Sequence, residues 1–411
     1  MDDRVFARYL LSLLLAAVAV LSITAVAYVV TDPQGLIGTP AVQGINVVKP
    51  YLEHNRELAR WNGAERLCPD AGIFGNSRAE IGFDPEHRGF ATLGLSAYNH
   101  AIPGSGPLMA RRQLDWLIAR GCAPRLMIVG VDFADFLVDP TRPAPATASA
   151  RSVSPRFDIG AAAETIFSLR GLRDVIDTLL AQRRPYAPTI TPRGFNPLRS
   201  YIPEVERTGQ FAMFRQRAEE NLKVWRKQPR SVVGLNGTPA PEFEVLRSLL
   251  ATATTSGTTV IFVIYPYHAQ LRLMLDSLGY ADTFDDWKRR VARLVEEARQ
   301  TNPRVSLWDF SLISEATSEA IPSPGDRIAR SRGYWEAGHF KRELGDRMLD
   351  QLLLDKPGFG VRIDTPQLDE TLARDRGRVA ALWRGTPLAD DVTEVLGNTR
   401  AAEAATNAQA R

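Results

Sequence analysis

The sequence is poor in the residues from which metal and redox centres are built. It has two cysteines, Cys68 and Cys122, and five histidines in 411 residues. The cysteines form no CxxC pair, and no two histidines have the spacing of a zinc motif such as HExxH, so no metal and no cofactor is expected. An excess of one charge is also missing: 50 Lys and Arg stand against 47 Asp and Glu, a net +3. With no basic block interleaved with aromatics, that balance argues against a nucleic-acid partner. There is no Walker A loop, no GxGxxG after a strand and no internal repeat. What remains is ordinary globular composition, 45% hydrophobic and 24% charged, in a chain long enough for two average domains or one large α/β domain with insertions.

One long apolar run stands out. Leu10 to Val30 reads LLSLLLAAVAVLSITAVAYVV, 21 residues without a charge. As a helix it spans the ~30 Å hydrocarbon core of a bilayer. Arg4 and Arg8 precede it, and Lys49 is the one basic residue in the twenty that follow. The positive-inside rule therefore places residues 1–9 in the cytoplasm and the body outside. The competing reading is a signal peptide cleaved after Ala25-Val26-Ala27. The run is long for a signal h-region, so an uncleaved anchor over 10–30 is the expectation. Both readings export the body to a compartment where Cys68 and Cys122 can oxidise.

Residues 31–64 read as a linker, broken early by Asp32-Pro33 and Gly38-Thr39-Pro40. Beyond it, apolar strands alternate with helices. AGIFG, PRLMIVGVDF, TTVIFVIYP and RVSLWDF read as strands. Between and after them, GPLMARRQLDWLIARG and EFEVLRSLLATATTSG read as helices, ended by Gly121 and Gly257. TFDDWKRRVARLVEEARQ carries Trp287, Val291, Leu294, Val295 and Ala298 on one face, and KRELGDRMLDQLL reads as the final helix. Near-continuous apolar strands alternating with helices indicate an α/β fold with a parallel sheet covered on both faces. An insertion over about 137–240 interrupts the pattern: a loose Pro-, Arg-, Ala- and Ser-rich loop, then helices near 160–182 and 207–227. The basic character of the second helix reads as a solvated face. From about 397 the tail is small, polar and expected to be disordered.

Ligands on parallel sheets bind at the carboxyl ends of the strands. Gly75-Asn76-Ser77-Arg78 falls at such an end. A turn has use for Gly and Asn, but Ser-Arg at that point suits an exposed nucleophile. A serine nucleophile needs a base in reach and a third group to orient it. Glu336 lies three residues before His339, in Glu-Ala-Gly-His, where a carboxylate can hold one ring nitrogen while the other faces a serine. Asp326 and Asp309 are alternatives for the orienting role. Backbone amides near Ser77 and around Ile102-Pro103-Gly104 can meet a developing oxyanion. His54 and His87 sit in charged, exposed-looking segments. Cys68 and Cys122 each precede an expected strand by a few residues, so a disulfide between them would lie at the opposite edge of the sheet from this rim.

In these blocks the chain resembles the SGNH/GDSL hydrolase superfamily, in particular its membrane-anchored bacterial branch, similar to proteins that O-acetylate alginate and D-alanylate teichoic acid. GNSR stands at the position of the Gly-Asp-Ser motif, YNHAIPGS resembles the second block, IVGVDFADF the third and WEAGHF the final Asp-x-x-His block. The resemblance covers about 65–355, around the insertion, with 356–411 as a C-terminal helix and tail. It implies a three-layer α/β/α sandwich. It also implies Ser77 as nucleophile, His339 as base, Glu336 as its carboxylate, and an oxyanion hole from the amides of Ser77 and Gly104.

Two positions depart from that pattern. Glu336 replaces Asp, one methylene longer in the same role. Asp132 stands where the third block has a donating asparagine, and an ionised carboxylate cannot donate. Either Asp132 is protonated, or Asn99 or Asn76 donates instead, or the site is not hydrolytic. Arg78 is a candidate contact for an acidic substrate group, with a salt bridge to Glu80 or Asp84 as the plainer alternative. His268, after the TTVIFVIYP strand, and Asp132 are further candidate substrate contacts at the rim.

The expected protein is thus a single-pass protein of the bacterial inner membrane with its body in the periplasm. The expected activity is that of a serine esterase or O-acyltransferase on acyl esters of an envelope or extracellular polysaccharide. The alternative is a catalytically inactive SGNH-fold binding or assembly protein for polysaccharide export, which Asp132 favours. A peptidase has nothing in the sequence to support it.

Overall fold

A computed structural model describes residues 3–145 and 159–409. Helices α1 (Asp3–Thr31) and α2 (Arg56–Leu67) precede strand β1 (Ala71–Phe74). Short helices α3 (Ser77–Gly82) and α4 (Arg88–Thr92) lead to β2 (Ala97–Asn99), and α5 (Pro107–Ala119) leads to β3 (Leu126–Val131). Then come α6 (Ile159–Ile166), α7 (Leu169–Ala181), α8 (Tyr201–Thr208), α9 (Gln210–Trp225) and α10 (Pro241–Thr255). Strand β4 (Thr259–Ile264), helices α11 (Ala269–Ser277) and α12 (Ala281–Arg299) and strand β5 (Val305–Asp309) follow. A hairpin of β6 (Tyr334–Glu336) and β7 (His339–Phe340) comes before α13 (Arg342–Leu354), β8 (Val361–Arg362), α14 (Leu368–Leu382) and α15 (Pro387–Gln409).

The six-stranded sheet runs β2-β1-β3-β4-β5-β8; its first five strands are parallel and β8 is antiparallel to β5. All four residues of β1 are buried, as are Leu126–Val129 of β3 and Phe262–Ile264 of β4, which is the continuous apolar pattern of strands covered on both faces. The chain steps from β1 outward to β2 and then back across β1 to β3. That reversal makes the carboxyl ends of β1 and β3 the topological switch point of the sheet, where α/β proteins hold their ligands.

The four strands and four helices expected from the alternation are present. The expected α12 face buries Trp287, Val291, Leu294 and Val295. Four short strands escaped the sequence pattern: β2 and β8 in the main sheet, and the β6–β7 hairpin. β2 has three residues ending in a polar Asn99, and both residues of β8 are exposed.

The C-terminal region departs further from expectation. α13 is not the final helix, and the single helix expected in 356–411 is two. The segment from 397 lies within α15 instead of a disordered tail. Its many alanines carry the highest intrinsic helix propensity. Val392 and Val395 also fix the helix by packing with Val379 of α14, Ala218 and Leu222 of α9, and Leu273 of α11.

The chain divides into two compact units, one of Met1–Arg66, Val153–Pro192 and Asn196–Ser200, the other of Leu67–Ser152, Arg193–Phe195 and Tyr201–Arg411. The expected insertion therefore does not form one body. Its first helices, α6 and α7, belong with the N-terminal region, and α8 and α9 belong with the sheet. Most of the loose loop expected ahead of α6 lies outside the described residues.

In the first unit, α1 begins at Asp3, so most of the expected nine-residue tail is helical. The helix ends at Asp32-Pro33, whose ring cannot continue it. Asp32 then organises the next turn, accepting from Gly38 N (2.9 Å) and Lys49 Nζ (3.0 Å). The expected linker is held to α7: Gln34 Nε2 donates to Asp174 (2.8 Å) and Gln182 Nε2 to Val48 O (2.7 Å).

In the second unit, Cys68 and Cys122 form a disulfide at the amino ends of β1 and β3, away from Ser77, as their spacing ahead of two neighbouring strands leads one to expect. It closes a loop of 54 residues. Loop-closure entropy assigns a crosslink of that size about 4 kcal/mol at most, and measured cases centre on 2–4 kcal/mol. Reduction is expected to lower the urea midpoint accordingly, with no titratable thiol in unreduced protein; two free thiols, or an unchanged midpoint, would contradict this.

Candidate active site

The site begins at the end of β1. Gly75 has φ +147°, and a Cβ there would lie 2.2 Å from the Tyr265 hydroxyl, so both the backbone and the close approach require glycine. Asn76 caps α3, its Oδ1 accepting from Arg78 N at 3.0 Å. Ser77 is the first residue of α3 and half-buried, and its amide lies in the first turn, where N–H groups have no intrahelical acceptor.

The second part comes from the far end of the chain. Strands β6 and β7 are joined by Ala337-Gly338, which sets Glu336 opposite His339. Phe340 anchors this hairpin to α3: it packs on Phe83 with ring centroids 5.3 Å apart, and a Cβ on Gly82 would lie 1.9 Å from its ring. Gly345 of α13 is equally confined, since a Cβ there would lie 1.8 Å from Gly82 O. From the other side, Gln210 of α9 donates to Tyr334 O (2.7 Å) and Trp335 O (3.2 Å). Glycines that permit close approach, together with an aromatic wedge, bring the start of α3 and the tip of the hairpin together.

The Ser77 hydroxyl lies 2.8 Å from His339 Nε2. His339 Nδ1 is hydrogen-bonded to Glu336 Oε1, and Glu336 Oε2 accepts from Gly338 N at 2.8 Å. With Nδ1–H donating to Glu336, Nε2 is the acceptor for the Ser77 proton; the tautomer follows from the hydrogen-bond network. Glu336 is buried, which alone would raise its pKa. His339, the Gly338 amide and Arg78 together outweigh burial and bring it from the ordinary 4.5 to about 2. The arrangement is that of a hydroxyl, an imidazole and an orienting carboxylate in sequence. Neither alternative carboxylate takes that role. Asp309 pairs with Lys288 at 2.7 Å, and Asp326 is bonded to Ile328 N and Ala329 N.

Gly104 lies in the Ile102–Ser105 turn after β2, with φ +71° and open space where a Cβ would stand. Ile102 N and Ser105 Oγ both donate to Gly75 O, at 3.0 and 3.2 Å, which holds the turn beside the residue two before Ser77. Asp135, not singled out in the sequence although it lies in the VDFADF block, sits on this rim against Gly106. Burial and the neighbouring Asp132 push its carboxyl well above the usual range.

Several candidate residues do other work than expected. Asn99 is no oxyanion donor: its Nδ2 donates to Ala79 O (2.8 Å) and Phe83 O (2.9 Å), closing the end of α3. Asp132 is neither a proton donor nor a substrate contact. It is buried and accepts from Asn76 Nδ2 (2.6 Å), Tyr267 OH (2.8 Å), Ala134 N (3.3 Å) and the Arg78 guanidinium. Four converging donors match a carboxylate, not a carboxylic acid.

Arg78 pairs with this group and not with Glu80 or Asp84; its Nε also donates to Gly338 O at 2.7 Å, so two of its nitrogens are engaged within the protein. His268 is fully buried. Its Nδ1 caps α11 at Gln270 N, its Nε2 donates to Glu319 O at 2.8 Å, and burial lowers its pKa to about 4. His87 is likewise buried and caps α4 through Gly89 N.

The missed contributors are Tyr265, Asp135 and Gln210. Tyr265 belongs to the YPYH run that directed attention to Tyr267 and His268 instead, and of those two it is Tyr267 that reaches the site, through Asp132.

Neither protein-family models nor curated proteins give a match to this chain.

Two outcomes follow from the geometry. Asp132→Asn leaves Arg78, only 17% exposed, without its counter-charge. Removing one partner of such a pair is expected to lower the unfolding free energy by roughly 3 kcal/mol in denaturant melts; a wild-type midpoint would refute the pairing. Because Glu336 is depressed in the folded state, its contribution to stability is complete above about pH 4.5 and is lost as pH falls towards about 2. Glu336→Gln should flatten the pH dependence of the unfolding midpoint in that window, and parallel profiles for the two proteins would contradict the assignment.

Proposed function

We propose that this chain is a membrane-anchored, SGNH-like serine esterase or O-acyltransferase. The observation that carries the reading is the 2.8 Å contact between Ser77 Oγ and His339 Nε2, made across 262 residues of sequence and continued to Glu336.

Ser77 Oγ attacks the ester carbonyl while His339 Nε2 takes its proton, and Glu336 stabilises the imidazolium. The amides of Ser77 and Gly104 receive the oxyanion. Collapse breaks the bond to the alcohol oxygen, which leaves with the proton from His339. The acyl group on Ser77 is then transferred to water or to a sugar hydroxyl, with His339 again acting as base.

The parallel β2-β1-β3-β4-β5 order with Ser77 after β1 supports the three-layer sandwich of that superfamily. Residues 10–30 lie within the apolar helix α1, long enough to cross a bilayer. The basic residues ahead of it support a cytoplasmic N-terminus, and the disulfide supports a periplasmic body. That location favours acyl esters of an envelope or exported polysaccharide as substrate. The alternative, a catalytically inactive binding or assembly protein, keeps one observation in its favour: Asp132 is held by Arg78 and donates nothing, and Asn99 and Asn76 direct their amides to Ala79 O, Phe83 O and Asp132.

Full-length protein in detergent is expected to be labelled at Ser77 by a fluorophosphonate, and Ser77→Ala and His339→Ala to lose labelling at least about 10³-fold. A folded wild-type protein that does not label would overturn the reading.

A further inference from the structure

Helix α7 has its polarity reversed for a helix in water. Its inward face is Gly171, Asp174, Val175, Thr178 and Ala181. Its outward face is Leu169, Leu172, Ile176, Leu179 and Leu180, between 40% and 88% exposed. At 100° per residue these five fall within a stripe about 100° wide, the width of an amphipathic helix's apolar face. A water-facing helix would bury its leucines and expose its aspartates. Phe167, just before the Ser168 cap, is 52% exposed and extends the same surface.

The position of the stripe says what covers it. Helix α7 packs against α1 in the same unit. It is also bonded to the segment that follows α1, through Asp174 to Gln34 just past the helix end, and through Asp177 to Tyr51 and Gln182 to Val48 further along. Residues 10–30 rise about 31 Å as a helix and use up the hydrocarbon thickness, so Gln34 falls at the headgroup level. The outer turns of α1 expose Val26, Val29 and Val30, an apolar surface next to that of α7. The exposed Arg170, Arg173, Arg183 and Arg184 border the stripe, the arrangement by which an interfacial helix meets anionic headgroups while its leucines enter the acyl boundary.

We propose that α7 lies in the membrane interface with Leu169, Leu172, Ile176, Leu179 and Leu180 embedded in the leaflet into which α1 emerges, giving the body a second contact with the bilayer. This rests on the reading of α1 as an uncleaved anchor.

The native cysteines are joined, so an introduced thiol is the sole reactive one. Full-length Ile176→Cys and Leu179→Cys, each carrying an environment-sensitive fluorophore, are reconstituted into phosphatidylcholine–phosphatidylglycerol vesicles. The expected result is blue-shifted emission that is lost as nitroxide-labelled lipid is added and is shielded from aqueous iodide. Quenching by iodide but not by lipid would put the stripe in water and overturn the proposal. Quenching by neither would mean a protein surface covers it, a second copy of this chain included, and would overturn it equally. A fluorophore at Ala17→Cys in α1 separates the two layers of inference. If it is not quenched by lipid, the anchor fails and α7 falls with it; if it is quenched while positions 176 and 179 are not, α7 alone is wrong.

Discussion

The arrangement at Ser77 depends on one buried ion pair, Arg78 with Asp132. The hairpin carrying Glu336 and His339 is no part of the main sheet, so nothing in the strand ladder positions it. Arg78 supplies the tie: one arm of its fork meets Asp132 at the end of β3, and Nε meets Gly338 O at the hairpin tip. The residue after the candidate nucleophile thus holds the turn that bears the candidate base. A buried pair of this kind adds little net stability over apolar replacements, because desolvation offsets most of the attraction. What it adds is direction, since a planar guanidinium donates at fixed angles to two acceptors and a lysine ammonium cannot.

Close packing completes what the ion pair begins. Gly82 and Gly345 let α3, α13 and Phe340 approach to distances that no side chain permits, and Gly75 leaves room for the Tyr265 hydroxyl. Interiors packed this tightly pass small displacements from one element to the next. The separation of Ser77 and His339 is therefore set by backbone contacts on several elements, not by two side chains alone.

Much of this was legible in the sequence. Apolar runs such as LMIVGV and VIFVI announce buried parallel strands, and Gly121 and Gly257 mark helix ends. The meeting of Ser77, His339 and Glu336 was legible from local context: a strand end, and a carboxylate three residues before a histidine. Residues whose role depends on a distant partner were not. Asp132 reads as a misplaced donor until Arg78, Asn76 and Tyr267 are seen around it. Asn99 reads as a rim residue until the end of α3 is seen to take its amide. His268 faces inward although it follows a strand end, because helix α11 starts there and uses it as a cap. The polar tail past 397 is helical because valines earlier in α15 dock on α9 and α11, a contact no local pattern encodes.

The charges around Ser77 bear on where its proton can go. In the proposed reaction the proton leaves Ser77 for His339, and an oxyanion forms as an imidazolium does. Asp132 would oppose that oxyanion if its charge stood alone, but Arg78 cancels it at contact distance. Glu336 carries the remaining negative charge, buried against the imidazole and with its proton affinity reduced to a pKa of about 2. A carboxylate so reluctant to accept a proton leaves it on the histidine, whose Nε2 stands 2.8 Å from the serine oxygen and in place to return the proton to a leaving alcohol. The glutamate side chain is held for this by both oxygens: one meets His339 Nδ1, and the other accepts from the Gly338 amide at 2.8 Å.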